Sequence, residues 1–128
     1  MKINIIIFFL FCSFIFGQVK VKTGIEVLRD NNFDILKNKR IGLVTNPTGV
    51  DSKLKSTIDI LFEAESVNLV ALFGPEHGVR GDYAAGEYVD FYKDEKTGLP
   101  VYSLYGKTRK PNKDMVNGID AIVYDIQD

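Results

Sequence analysis

Two nearly continuous apolar runs constrain the fold of this chain most strongly. Residues 68–73 read Asn-Leu-Val-Ala-Leu-Phe, and residues 121–126 read Ala-Ile-Val-Tyr-Asp-Ile. Both runs have the length of a strand, and neither alternates between apolar and polar residues as a strand with one solvated face does. Continuous hydrophobicity of this kind is typical of strands covered on both faces, as in a parallel sheet packed between helices.

The segments between these runs alternate between strand and helix patterns. Two further short strands are predicted at residues 40–45 and 100–104, each beside a turn sequence. Helices are predicted at residues 24–31, from residue 56 onward, and for one or two turns within residues 111–117. Ser56, with Asp59 three residues later, resembles a capping box. This alternation predicts the α/β fold class, with a mainly parallel sheet and flanking helices.

The first 17 residues have the pattern of a secretory signal peptide. Lys2 supplies the positive start, residues 5–16 form an apolar core, and Gly17 is the small residue at the end. A transmembrane helix needs about 20 apolar residues, so this run is too short to span a membrane. We therefore expect cleavage near Gly17, a periplasmic or secreted protein, and no stable membrane insertion after cleavage.

The charge and composition of the chain exclude several classes of function. The 16 basic and 17 acidic residues give a net charge of −1, which argues against a nucleic-acid partner. One cysteine and one histidine argue against a disulfide scaffold and against a Cys- or His-rich metal site. No complete phosphate-binding loop, dinucleotide fingerprint or nucleophile elbow is present. We expect no cofactor and no metal.

Polar residues gather where the predicted strands end. These segments are Asn46-Pro47-Thr48-Gly49, Pro75-Glu76-His77-Gly78-Val79-Arg80-Gly81, Tyr105-Gly106-Lys107-Thr108-Arg109, and Asp125 with Gln127 and Asp128. In open α/β sheets, ligands bind beyond the carboxyl ends of the strands. If the sheet is parallel, these segments converge on one edge, which is the candidate functional site.

Glu76 and His77 lie in the richest of these segments. A carboxyl group tucked beside apolar strand ends can serve as a general acid or base, and the alternative is a solvated turn glutamate. His77 either takes part in the site or hydrogen-bonds its own loop. Arg80 either binds a carboxylate or pairs with Asp82.

Aromatic side chains are concentrated in the second half of the chain. They include Tyr83, Tyr88, Phe91, Tyr92, Tyr102, Tyr105 and Tyr124. Flat apolar rings can pack against the C–H surfaces of sugars, and packing within the core is the alternative for each of them.

Five blocks, taken in order along the chain, form a recognisable pattern. They read GLVTNPTGV at residues 42–50, FGPEHGVRG at 73–81, AGE at 85–87, TGLPVYSLYG at 97–106 and DAIVYDIQD at 120–128. Together they resemble the NamZ-type exo-β-N-acetylmuramidases, and the resemblance extends over roughly residues 24–128.

The resemblance implies a glycoside hydrolase that removes N-acetylmuramic acid from the non-reducing end of peptidoglycan fragments. It implies a Rossmann-like N-terminal domain, followed in this family by a C-terminal domain. Because the chain stops after the last block, we expect residues 18–128 to form this N-terminal catalytic domain in incomplete form. The partners expected are peptidoglycan-derived oligosaccharides or muropeptides. The alternative is a non-catalytic periplasmic module that binds cell-wall sugar.

The resemblance also implies roles for individual residues. Glu76 is the implied catalytic residue, and the implied sugar-binding or supporting residues are Asn46, His77, Arg80, Asp125, Gln127 and Asp128. Glycoside hydrolysis usually needs two carboxyl groups. The second role remains open between Asp125, Asp128, Glu87, a group outside this chain and the acetamido group of the substrate. Arg80 or Arg109 would suit the lactyl carboxylate of muramic acid.

Overall fold

A computed structural model describes residues 21–84, 89, 91–106 and 108–127. The predicted signal peptide, residues 1–17, lies outside the described residues, as do Asp128 and the predicted block at residues 85–87. No helix within the described part of the chain is long and apolar enough to cross a membrane.

A five-stranded sheet forms the centre of the domain. Its strands are β1 (Arg40–Thr45), β2 (Asn68–Gly74), β3 (Phe91–Lys93), β4 (Pro100–Ser103) and β5 (Ala121–Asp125), in the spatial order β3-β4-β2-β1-β5. β1 pairs in parallel with β2 and β5, and β2 pairs in parallel with β4. Only β3, which the sequence did not predict, is antiparallel to its neighbour β4. The predicted α/β class with a mainly parallel sheet is confirmed.

The order of the four parallel strands is that of a Rossmann-type sheet. The chain moves outward from β1 through β2 to β4, and then returns to the other side of β1 with β5. The strand order therefore reverses between β1 and β5. In sheets of this type, a crevice opens beyond the carboxyl ends of the strands at this reversal, and it is where ligands bind.

Short helices lie before β1 and between β1 and β2. They are α1 (Gly24–Asp30), a 3-10 turn (Asp34–Leu36) and α2 (Thr57–Phe62). Ser56 caps α2, because its side-chain oxygen accepts a hydrogen bond of 3.2 Å from the N–H of Ile58. The predicted capping-box role of Asp59 is wrong, since its carboxylate accepts hydrogen bonds from Arg80 and Lys96 instead. The reciprocal cap occurs at α1, where the N–H of Thr23 donates to Glu26 Oε2.

The two faces of the sheet carry separate apolar clusters. On one face, Ile41, Leu43 and Leu72 are fully buried together with Ile58 and Leu61 of α2. The cluster on the other face consists of Val44, Ala71 and Phe73, packed against Met115, Val116 and Ile119. β1 and β2 are thus covered on both faces, as the continuous hydrophobicity of residues 68–73 predicts for β2.

The segment that covers the second face is not helical. The predicted helical turns at residues 111–117 are wrong, because this stretch folds as consecutive turns. The side chain of Asn112 accepts hydrogen bonds from the N–H groups of Asp114 and Met115, and Gly118 has a positive φ of 72°. These local contacts turn the chain back toward β5 without a helix.

β5 is an edge strand, and one of its faces is open. Ala121 and Val123 pack on the core, whereas Ile122 is 48% exposed and Tyr124 is 70% exposed. The prediction that this strand is buried on both faces is therefore wrong for the described residues. Its apolar sequence matches that of β2, but β2 has a neighbouring strand on each side.

Candidate functional site

An open cleft of about 1030 Å³ lies at the carboxyl ends of β1, β2 and β5. Its lining residues are Asn46, Pro47 and Thr48 after β1, Pro75, Glu76, His77, Arg80, Gly81 and Tyr83 after β2, and Tyr124 and Ile126 from β5 and its end. The cleft therefore occupies the point where the strand order reverses. Three of the four polar segments predicted to converge contribute to it or hydrogen-bond to its wall.

The loop after β1 presents the side chain of Asn46. Its Oδ1 accepts hydrogen bonds from the N–H of Thr48 at 3.0 Å and from the Thr48 hydroxyl at 2.6 Å. These bonds form a local turn in which the amide oxygen is fully used. Among the described residues, none accepts a hydrogen bond from Asn46 Nδ2, so this donor is available to a ligand in the cleft.

Hydrogen bonds join the loops that follow β1 and β5. The Thr45 hydroxyl donates to the backbone oxygen of Asp125 at 2.8 Å, and the N–H of Gln127 donates to Thr48 Oγ1 at 2.9 Å. Gly49 allows this approach, because a Cβ there would lie 2.3 Å from Thr45 Oγ1 and 2.8 Å from the Asp125 oxygen. This wall of the cleft is consequently held by specific contacts.

The carboxylate of Asp125 lies outside the cleft lining. Its Oδ2 accepts a hydrogen bond of 2.5 Å from the hydroxyl of Thr57 at the start of α2. Successive side chains of a strand point to opposite faces, so Asp125 faces α2 while Tyr124 lines the cleft. Gln127 contributes its backbone N–H to the cleft wall, and its side chain is exposed.

The loop after β2 carries Glu76 and His77 in an unusual backbone conformation. His77 has a φ of 57° and Gly78 a φ of 74°, and a left-handed conformation is uncommon for a residue other than glycine. Glu76 Oε1 lies 3.8 Å from His77 Nε2, and the two side chains are 46% and 44% exposed. Of the two alternatives for Glu76, a carboxyl group tucked beside apolar strand ends does not fit, because the side chain lies half exposed in the open cleft.

Arg80 is held by two carboxylates from other parts of the chain. Its Nε and Nη2 donate to the two oxygens of Asp94 at 2.5 and 3.0 Å, and Nη2 also donates to Asp59 Oδ1 at 2.9 Å. Lys96 adds a hydrogen bond of 2.6 Å to Asp59. The predicted pair of Arg80 with Asp82 is not formed.

The ion pairs around Arg80 shift the acidity of its partners. Burial raises the pKa of Asp59, but hydrogen bonds from Lys96 and Arg80 outweigh burial and leave this pKa below its usual value. Burial likewise raises the pKa of Asp94, while Arg80 and Thr97 lower it to a net value below the usual one. Both aspartates are therefore charged at neutral pH.

Sequence reasoning missed the residues that anchor this loop. Asp94 lies in the Asp-Glu-Lys-Thr-Gly turn between β3 and β4, and the turn pattern alone gives no sign of its partner. The sequence pattern places Tyr92 only among the aromatic residues of the second half of the chain, yet its hydroxyl oxygen accepts a hydrogen bond of 3.2 Å from the N–H of Val79. A local pattern of residues does not predict hydrogen bonds between residues that are far apart in the sequence.

The arrangement combines one carboxyl group, one imidazole and one amide donor at an open cleft. A carboxyl group in this setting can exchange a proton with a bound ligand, and amide and imidazole groups can hydrogen-bond sugar hydroxyls. No group of three His, Cys, Asp or Glu residues placed to hold a metal ion occurs within the described ranges.

Comparison with known proteins gives consistent matches over most of the chain. Residues 41–128 match the family model described as exo-β-N-acetylmuramidase NamZ, N-terminal. The peptidoglycan β-N-acetylmuramidase NamZ of Bacillus subtilis (strain 168) is 59% identical over 109 residues, which are 85% of this chain and 26% of that protein.

Two crystal structures of DUF1343 family proteins from Bacteroides fragilis have similar folds. One has a TM-score of 0.77 at 63% identity and is matched over 88% of this chain and 27% of its own. The other has a TM-score of 0.66 at 39% identity, over 85% of this chain and 26% of its own. The chain spans about a quarter of the length of these relatives. By the extent and identity of these matches, the chain belongs to the NamZ family of exo-β-N-acetylmuramidases, in the part described as N-terminal.

Proposed function

We propose that this protein is an exo-acting glycosidase that releases N-acetylmuramic acid from the non-reducing end of peptidoglycan fragments. The observation that carries the proposal is the position of Glu76, in an open cleft where the strand order reverses. The high identity to the peptidoglycan β-N-acetylmuramidase NamZ of Bacillus subtilis supports the substrate class.

In this proposal Glu76 acts as the general acid. Its carboxyl group donates a proton to the glycosidic oxygen while the bond to the anomeric carbon breaks, so that the leaving sugar departs as an alcohol. The half-exposed side chain lies in an open cleft, which gives a sugar access to it. His77 Nε2, at 3.8 Å from Glu76 Oε1, is near enough to bind the same sugar unit.

Further sugar contacts come from the other walls of the cleft. Asn46 offers its Nδ2 as a donor, and the exposed ring of Tyr124 offers an apolar surface. Gln127 follows β5 at the same edge of the sheet, and we keep it as a proposed sugar-binding residue, together with Asp128, which lies outside the described residues. Asp125 is better suited to holding β5 against α2, because its carboxylate hydrogen-bonds Thr57.

Glu76 supplies the one carboxylate in the described lining of the cleft, so a second carboxyl group would have to come from elsewhere. Asp128 and Glu87 are candidates from this chain, and both lie outside the described residues. The acetamido group of the substrate is a further candidate, acting as an internal nucleophile on the anomeric carbon.

The proposed substrate is found outside the cytoplasmic membrane, which agrees with the predicted signal peptide at residues 1–17. We propose a periplasmic or secreted protein. Mass spectrometry of the exported protein tests this, because cleavage near Gly17 gives a mature N-terminus at or next to Gln18.

The test of the proposed function is the release of N-acetylmuramic acid from a MurNAc–GlcNAc disaccharide by the full-length protein. We expect release by the wild type and loss of turnover in Glu76→Gln, which keeps the shape of the side chain and removes its proton. Glu65→Gln is the matched control, because Glu65 is an exposed glutamate near the opposite end of β2.

Each outcome has a distinct meaning. Release by the wild type and by Glu65→Gln, but not by Glu76→Gln, supports the glycosidase and the role of Glu76. Release by all three proteins removes Glu76 from the chemistry. Binding of the disaccharide without release by a folded wild type contradicts the glycosidase and favours a cell-wall sugar-binding module.

A further inference from the structure

The loop that carries Glu76 has few internal hydrogen bonds. Between residues 75 and 83, the described residues form one backbone–backbone hydrogen bond within the loop, of 3.4 Å from the N–H of Tyr83 to the backbone oxygen of His77. Three positions, His77, Gly78 and Gly81, have positive φ values. Glycine adopts positive φ values readily, but a left-handed conformation of another residue, here His77, persists only where its surroundings determine it. The position of Glu76 therefore depends on contacts between the loop and its neighbours.

Arg80, four residues after Glu76, supplies the strongest of these contacts. It forms a two-pronged ion pair with Asp94, through Nε at 2.5 Å and Nη2 at 3.0 Å, and a further bond to Asp59 at 2.9 Å. Paired parallel N–H···O bonds of this kind fix the orientation of an arginine as well as its position. The Arg80 side chain is 22% exposed, and the Asp94 side chain is 2% exposed.

Both partners of Arg80 belong to well-fixed elements. Asp59 lies in α2, where the neighbouring Ile58 and Leu61 are fully buried. Asp94 lies in the turn between β3 and β4, which is closed by bonds from the Asp94 N–H to the Leu99 oxygen at 2.9 Å and from Thr97 to the Asp94 carboxylate. Arg80 thus ties the loop to two separate parts of the fold.

The same contacts make Arg80 a poor ligand for a substrate carboxylate. Arg80 and Lys96 face Asp59 and Asp94, so the cluster of two cations and two anions is already neutral. An incoming carboxylate would meet two fixed negative charges beside the guanidinium, and like charges at this range repel. The lactyl-binding role implied by the resemblance does not fit this environment.

We propose that Arg80 is a positioning residue, which acts through Asp94 and Asp59 to hold the loop so that Glu76 faces the cleft. This inference rests on the proposed function of Glu76. Asp94 does not line the cleft and is therefore not placed to contact the sugar. The inference gives it an indirect part in the reaction, through Arg80.

The test compares Arg80→Gln, Asp94→Asn and the double variant in the full-length protein. We expect each single variant to lower kcat by up to about 100-fold, because small displacements of a catalytic group have effects of this size. We expect KM for the disaccharide to change little. The double variant should be no slower than Arg80→Gln, because Arg80→Gln already lacks the ion pair with Asp94.

A matched control breaks a similar ion pair elsewhere. Arg29→Gln removes the partner of the buried Asp51 carboxylate, at 3.0 Å, in a part of the fold that does not line the cleft. We expect it to leave kcat unchanged. Arg80→Lys keeps the positive charge but loses the paired N–H groups of the guanidinium. We expect its kcat to lie between those of the wild type and Arg80→Gln. If Arg80→Gln fails to fold, a kcat of Arg80→Lys below that of the wild type provides the test.

Amide hydrogen exchange supplies a readout that needs no activity. We expect faster exchange within residues 77–81 in Arg80→Lys and Asp94→Asn, and unchanged exchange there in Arg29→Gln. A raised KM with normal kcat in Arg80→Gln, a normal kcat in Asp94→Asn, or unchanged loop exchange in both would each overturn the positioning role. If the wild type releases no N-acetylmuramic acid, the proposed function fails, and the exchange comparison still decides whether Arg80 holds the loop.

Discussion

The hydroxyl oxygen of Thr48 accepts a hydrogen bond of 2.9 Å from the backbone N–H of Gln127, 79 residues further along the chain. The same hydroxyl donates to Asn46 Oδ1 at 2.6 Å. One side chain therefore links the loop after β1 to the segment after β5, and it also orients an amide group of the cleft. This link crosses the sheet at the point where the strand order reverses.

Replacing Thr48 with valine removes both hydrogen bonds and keeps the shape of the side chain. We expect Thr48→Val to lower the free energy of unfolding by about 1 kcal/mol and to speed amide exchange at Gln127. Thr108→Val is the control, because the Thr108 hydroxyl bonds only locally, to the Lys110 oxygen at 2.7 Å. Unchanged exchange at Gln127 in Thr48→Val would contradict the proposed link.

Gly78 is required by both its backbone conformation and its neighbours. It has a φ of 74°, and a Cβ at this position would lie 2.7 Å from Tyr83 Cδ2 and 3.0 Å from the Tyr92 hydroxyl. Gly98 has a similar φ of 71° but nothing within 4 Å of a Cβ. Substitution of the two glycines therefore distinguishes the free-energy cost of a left-handed residue, present at both positions, from the cost of steric crowding, present at Gly78.

We expect Gly98→Ala to cost about 1–2 kcal/mol, the penalty of a left-handed conformation. Gly78→Ala should cost about 1–3 kcal/mol more, because the added methyl group overpacks the contact with Tyr83. Urea unfolding of the two variants measures both values. Equal losses would show that the loop relaxes around the methyl group.

The sequence predicts the central strands well and the edge strand poorly. The runs at β2 and β5 are both continuously apolar, but β2 lies between β1 and β4, whereas β5 has one neighbouring strand among the described residues. Hydrophobicity along a strand reports what can be buried, and the order of strands in the sheet decides what is buried. β3, with three residues, is too short to give a pattern at all.

The residues of the candidate site also differ in how well the sequence predicts their positions and partners. Glu76 and Asn46 could be placed at the cleft from the sequence, because both follow directly after predicted strands. The partners of Arg80 could not, since Asp59 and Asp94 lie 21 and 14 residues away and meet it only through the packing of α2 and the turn between β3 and β4. Asp82, one of the two alternatives for Arg80 in the sequence analysis, is close in sequence but does not pair with it among the described contacts.

The ion pairs of Asp59 and Asp94 predict a specific pH dependence of stability. Their pKa values in the folded protein lie below the usual value, because the hydrogen bonds from Arg80, Lys96 and Thr97 outweigh the effect of burial. As the pH falls below about 4, the unfolded chain therefore binds more protons than the folded protein does, and the free energy of unfolding decreases. Above that range the stabilisation is fully present.

We expect Asp94→Asn to reduce the loss of stability at acid pH, because it removes one of the carboxyl groups whose pKa is lowered in the folded protein. At pH 7 the variant should be less stable than wild type by about 1.5–3 kcal/mol, the value typical of hydrogen bonds to charged groups. Chemical unfolding between pH 2 and 7 measures both effects. An acid limb as steep in the variant as in wild type would exclude Asp94 as a contributor.

The hydroxyl group of Tyr92 provides a second contact that holds the loop, in addition to the ion pairs of Arg80. It accepts a hydrogen bond of 3.2 Å from the N–H of Val79, a residue that is 1% exposed. Tyr92→Phe keeps the ring contact with Tyr83 but leaves this N–H without its partner, which should cost about 1–3 kcal/mol and speed exchange at Val79. Tyr102→Phe is the matched control, because no described residue hydrogen-bonds the Tyr102 hydroxyl, and its ring stays stacked on Phe73. Both variants lose a hydroxyl group, and of the two only the Tyr92 hydroxyl has a described hydrogen bond, so equal stabilities would mean that the Val79 N–H finds another acceptor.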